Sequence, residues 1–163
     1  MHSIFAHADN FCHLGMLARC HRRSRELVMP SPPPSPDVDR VIRRYKPATR
    51  AGVLVLRDLI FRVAADLPRI GTLKEALRWG QPAYLTSNRA GSTLRVGPHR
   101  DASFAIFAHC QSTIISSYAQ AFPGWDRIDG NRAVLFDTLD QIEPERLSHL
   151  IRHALTYHLS AAA

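Results

Sequence analysis

Seven side chains in the 163-residue chain could together do chemistry: Trp79, Gln81, Tyr84, Arg95, His109, Arg132 and Tyr157. Aromatic walls with a few convergent hydrogen-bonding groups are how a ligand pocket is built. Two guanidiniums add planar donors suited to a carboxylate or phosphate. That pocket requires the seven to meet on one sheet face. Arg95 alternates with Leu94 and Val96, so it faces opposite them. The densest stretch is Trp79-Gly80-Gln81-Pro82-Ala83-Tyr84, in which Gly80 frees the backbone and Pro82 restrains it.

Other constellations are thinner. His109-Cys110 could be a nucleophile pair or half a metal site, but adjacent residues on a strand point to opposite faces. His149 and His153 share a helix face at i and i+4, with no acidic residue between them and no evident third ligand. His158 falls on the inward stripe of the same helix, as a core or pocket histidine. Cys12-His13 and Cys20-His21 carry soft-metal ligand types without finger spacing. A phosphate-cradling glycine loop, a Gly-x-Ser-x-Gly elbow and paired catalytic carboxylates are all missing. The sequence therefore assigns no catalytic residue and no metal ligand.

The elements that must position these groups follow from periodicity. Asp37 caps a short helix to about Tyr45, and Pro47 suits the first turn of a longer one over 48–67. There Val53, Leu56, Ile60, Val63 and Leu67 recur at helical steps. Thr72 and Glu75 form a capping-box pattern that predicts a third helix to Trp79, ended by Gly80. Strands are expected at 83–86, 93–96 and 103–109, then a helix over 112–122. Asp129-Gly130-Asn131 marks a hairpin between 125–128 and 132–136. A helix over 144–158 comes last. The order predicts an α+β fold: an antiparallel sheet of about five strands packed with N-terminal, middle and C-terminal helices.

Composition sets the frame. Hydrophobic residues make up 45% and charged residues 21%, an ordinary globular balance. The net charge of +7 is dispersed, without a run of like charges, so nucleic-acid binding is not expected. Three cysteines without regular spacing fit a reducing, cytoplasmic setting. No apolar stretch nears the ~18 residues of a membrane span. Five prolines between Met29 and Pro36 read as an extended spacer. Residues 1–35 are expected to be a disordered or misassigned extension, 36–159 the domain, and 160–163 a tail.

Leu77 to Thr86, Gly91 to Gly97, Phe107 to Cys110, Gly130 to Phe136 and Leu155 to His158 follow one another in that order across residues 40–159. Together these stretches resemble the YdhG-like family of bacterial proteins, a domain of unknown function. The resemblance implies a compact α+β domain. One branch of the family is linked to a frataxin-like role in iron delivery, but the few, scattered carboxylates here fit that branch poorly. The leading expectation is a non-enzymatic binding module for a small anionic ligand or a protein partner. The alternatives are a metal-handling protein and an enzyme using His109. No cofactor is indicated.

Overall fold

Pro47 opens the longest helix and Val53, Leu56, Ile60 and Val63 are buried along it, as their spacing requires. The computed structural model describes residues 31–159, so residues 1–30 of the expected extension 1–35 and the tail 160–163 lie outside the described residues. The fold is α+β. Helices α1 (Pro36–Arg43) and α2 (Pro47–Ala65) precede strands β1 (Leu73–Arg78), β2 (Gln81–Thr86), β3 (Leu94–His99) and β4 (Ala102–Phe107). Helix α3 (Ile114–Ala121), strands β5 (Arg127–Asp129) and β6 (Ala133–Phe136) and helix α4 (Pro144–Leu155) follow. The six strands form one antiparallel sheet in the order β1-β2-β3-β4-β6-β5.

The sixth strand replaces the predicted third helix. Leu73–Arg78 is β1, paired along its whole length with β2 from Leu73↔Thr86 to Arg78↔Gln81. Trp79 and Gly80 are the two turn residues, both at positive φ (50° and 73°). Such a pair of left-handed residues is the short hairpin turn whose twist matches the flanking strands. Leu-Lys-Glu-Ala-Leu-Arg has good local helix propensity, but tertiary pairing overrides it. Glu75 is decisive: it points to the helix-covered face, where its carboxylate meets Arg57 Nε at 2.7 Å, both side chains being almost fully buried. Thr72 therefore caps no helix. Further along, β4 ends at Phe107 rather than at His109, and α4 ends at Leu155, so His158 is exposed rather than on an inward stripe.

Helix α1 packs on β1 and β2, α2 on β3 and β4, and α4 on α2 and β3. The main core lies between them, with Tyr84, Leu94, Val96, Phe104, Ile106, Val134 and Phe136 pointing into it from the sheet. The residues between these point the other way. One row crosses all six strands on that second face: Ala76, Ala83, Arg95, Phe107, Ala133 and Asp129, each in register with the next. Ala105, Ala133 and Leu135 make a small second cluster there, with Phe107 packed against it.

Two tethers complete the domain. The last residues of the proline-rich stretch are bonded to it: Arg57 Nη2 donates to Pro32 O at 2.6 Å and Ser35 N to Glu75 Oε2 at 3.2 Å. At the other end the chain leaving α4 docks on the β2–β3 loop. His158 N donates to Ala90 O at 2.9 Å, and Ser92 N to Ala154 O at 2.8 Å. The approach is so close that a Cβ on Gly91 would stand 2.3 Å from Leu155 O, which requires glycine there. This docking carries Tyr157 and His158 to the rim of the second face.

Candidate functional site

The second face opens into a cleft of about 1200 Å³. Trp79, Gln81, Arg95, His109, Arg132 and Tyr157 all line it, together with Arg78, His99, Phe107 and Cys110. Tyr84 does not. It sits in register with Leu94 on the core face, fully buried, with its ring edge-on to Phe61 at 5.9 Å. The reason is parity: β2 starts at Gln81, and positions three apart on a strand face opposite ways.

Arg95 is the centre of the cleft. Its guanidinium carbon lies 4.7 Å from the Trp79 ring centroid and 5.1 Å from that of Phe107. Trp79 reaches it from the β1–β2 turn and Phe107 from the neighbouring β4 position, so the two rings flank it. Nη1 donates to Gln81 Oε1 at 2.5 Å. Gln81 can reach because it lies flat on the floor; a Cβ on Gly97 would be 2.9 Å from its amide nitrogen. Nε and Nη2 form one edge of the guanidinium, and among the described residues nothing accepts from them. Nor does any carboxylate of the described residues pair with Arg95. Partial burial pulls its pKa below the ordinary arginine value, the direction expected for a desolvated charge without an opposite partner.

The remaining walls are pinned by their own bonds. Asn131 donates from Nδ2 to Cys110 O (2.9 Å) and Ser112 O (2.6 Å), and accepts from Ser116 N. It thereby fixes the turn that carries His109 and Cys110. Because that turn lies beyond the strand, alternation does not govern it, and both residues line the cleft. His109 is exposed, and Gln111 N donates to its Nδ1 at 3.4 Å. The Thr113 N–H donates to the Tyr157 hydroxyl at 3.2 Å and holds the phenol below its ordinary pKa. His99 accepts the Asp101 N–H on Nδ1 (3.1 Å), which places its ring proton on Nε2, 3.3 Å from Asp129. His99 is thereby held at both nitrogens.

His99, Phe107 and Arg78 were not singled out by sequence reasoning. The register was the missing signal: once Arg95 is on the open face, Phe107 opposite it on β4 must be too. His149 and His153 border a small groove on α4 but turn to different rings, Phe122 at 5.5 Å and Tyr157 at 5.6 Å. Among the described residues no three His, Cys, Asp or Glu side chains come together as a metal site. Cys12, His13, Cys20 and His21 lie outside the described residues. No helix of the described residues is long and apolar enough to cross a membrane.

Tyr84 has a consequence of its own. Its hydroxyl is buried without a hydrogen-bond partner among the described residues. Burial first, and the nearby Glu75 charge second, push its pKa well above the unfolded value of 10.0. The folded chain holds this proton more tightly, so the stabilising contribution is full below pH 10 and is lost as pH climbs from there through the folded value. Tyr84→Phe is expected to keep or raise stability at pH 7 by about 1 kcal/mol, since it removes an unsatisfied group. It should also flatten the alkaline fall; urea midpoints at pH 7 and pH 11 read both effects. A loss above about 1 kcal/mol at pH 7 would mean that the hydroxyl has a partner.

No protein-family model, curated protein or solved structure matches this chain.

Proposed function

We propose that the chain is a binding module that holds a small anionic ligand in this cleft, with its oxyanion on the free edge of Arg95. The observation that carries the reading is that guanidinium: flanked by Trp79 and Phe107, aimed by Gln81, and without a carboxylate among the described residues. A rigid guanidinium with one free Nε/Nη2 edge suits bidentate contact with a carboxylate or phosphate, and preorganisation lowers the entropy lost on binding. The reading extends the YdhG-like resemblance, whose densest stretch supplies Trp79 and Gln81 to the cleft.

A thermal-shift and calorimetric series with phosphate, sulfate, acetate and citrate tests it. At least one anion should bind saturably and raise the melting temperature. Arg95→Gln should weaken that binding about 10- to 100-fold, the worth of a charge-assisted hydrogen-bond pair. Arg62→Gln, an exposed arginine on α2, should leave it unchanged. Binding indifferent to Arg95, or no saturable anion at all, defeats the proposal.

A further inference from the structure

We infer that the ligand is a phosphate monoester joined to a flat ring, a nucleoside phosphate, either free or at the end of a strand; this rests on the anion reading of the same cleft.

The first support is Trp79. Its indole is 81% exposed at the cleft rim, and its backbone is held in the left-handed region, where a bulky side chain is costly. Arg95 covers only part of the ring, so a broad aromatic surface beside the free guanidinium edge stays open to a second flat group. Stacking on such a platform is tolerant of ring identity and strong enough to add to an ionic contact.

The second support is charge. Arg100 is paired with Asp101; Asp129 also lines the cleft, and His99, which accepts on Nδ1, gives it a hydrogen bond rather than a balancing charge. Arg78, Arg95 and Arg132 line the same cleft, and no carboxylate of the described residues pairs with any of them. Three such cations against the one carboxylate of Asp129 leave an excess of two positive charges, more than a single carboxylate ligand neutralises. A phosphate monoester, with about 1.5–2 negative charges at neutral pH, matches them better.

The third support is room and recognition. At about 1200 Å³ the cleft is larger than a simple oxyanion needs, and the sheet face it lies on carries small residues, Ala83, Gly97, Ala105 and Ala133. The Gln81 amide spends its oxygen on Arg95, which leaves its NH2 group as a donor for a ring edge.

Calorimetry on the full chain with inorganic phosphate, a nucleoside, a nucleoside monophosphate and a short 5′-phosphorylated oligonucleotide decides the matter. The monophosphate should bind about tenfold or more tighter than inorganic phosphate. Trp79→Asn is the informative variant, because Asn-Gly suits the same hairpin turn and so removes the ring without removing the fold. It should remove the monophosphate's advantage over inorganic phosphate, beyond any loss both ligands share through the Trp79–Arg95 contact. An oligonucleotide that binds more tightly than the monophosphate identifies a strand end, and one that binds more weakly identifies a free nucleotide; either supports the inference. Equal affinity for phosphate and monophosphate, or a Trp79→Asn variant that keeps the monophosphate's advantage, overturns the inference while the anion reading stands. If neither phosphate nor the monophosphate binds, both fall together.

Discussion

Replacing Arg57 with methionine is expected to cost about 3–5 kcal/mol of unfolding free energy, read by urea denaturation. Arg57 is only 2% exposed, inside the layer between α2 and β1. Its guanidinium donates from Nε and Nη2 to Glu75 (2.7 and 3.3 Å), from Nη1 to Ser31 Oγ (3.1 Å) and from Nη2 to Pro32 O, and it lies 4.6 Å from the Phe61 ring centroid. Methionine has comparable length and keeps much of the packing. It leaves the Glu75 carboxylate buried with Ser35 N as its remaining donor, and it cuts the bonds that hold residues 31–35. The penalty is that of an orphaned buried charge, not of a lost surface pair. The double variant Arg57→Met, Glu75→Leu should recover most of the loss, because no charge is then stranded. A single-variant loss below about 1 kcal/mol would show that the pair is solvated in practice.

The same pair explains what the sequence could and could not reveal. α2 and α4 were legible because Val53, Leu56, Ile60 and Val63, and Leu147, Leu150, Ile151 and Ala154, repeat at helical spacing over several turns. The hairpin at Gly130 was legible because the Asp-Gly pair tolerates positive φ, and Gly130 has φ 50°. β1 was not legible. Its helix-forming residues and Thr72/Glu75 box are local signals, whereas the Arg57 that draws Glu75 inward lies 18 positions away. Gly80 does take the left-handed conformation of a helix-ending glycine, with φ 73°, but the same conformation serves a helix end and a hairpin turn. Trp79 beside it, also at positive φ, is the mark of the turn.

The cleft shows the same division. The side of the sheet that Arg95 faces follows from its neighbours alone. That Gln81 and Tyr84 part company needs only the start of β2, two residues earlier than expected. What local pattern cannot supply is the cross-strand register that sets Phe107 opposite Arg95, or the docking of the α4 end that brings Tyr157 to the rim. Both are long-range pairings, visible only when the strand order is known.

Phe104→Ala should be the most damaging single change in the core, at about 3–5 kcal/mol. The ring is 1% exposed and stacks on Phe136 at 5.5 Å between centroids. On its other side α2 passes so near that a Cβ on Gly52 would stand 2.4 Å from Phe104 Cζ. The two residues therefore set how closely the helix approaches the sheet. Alone, Gly52→Ala overpacks this contact and should cost about 1–3 kcal/mol. In the Phe104→Ala background the added methyl enters the space the ring has left, and alanine also favours the helix. The double variant should be more stable than the sum of the two losses predicts, by about 1 kcal/mol or more, since residues that share a cavity couple. Urea denaturation of the four proteins in the cycle gives this coupling directly. Strictly additive losses would mean that α2 withdraws from the sheet when either residue changes, so that the contact does not set the spacing. A positive coupling would place the helix-to-sheet distance, and with it the seating of β4 beneath Phe107 and Arg95, under the control of one glycine and one ring.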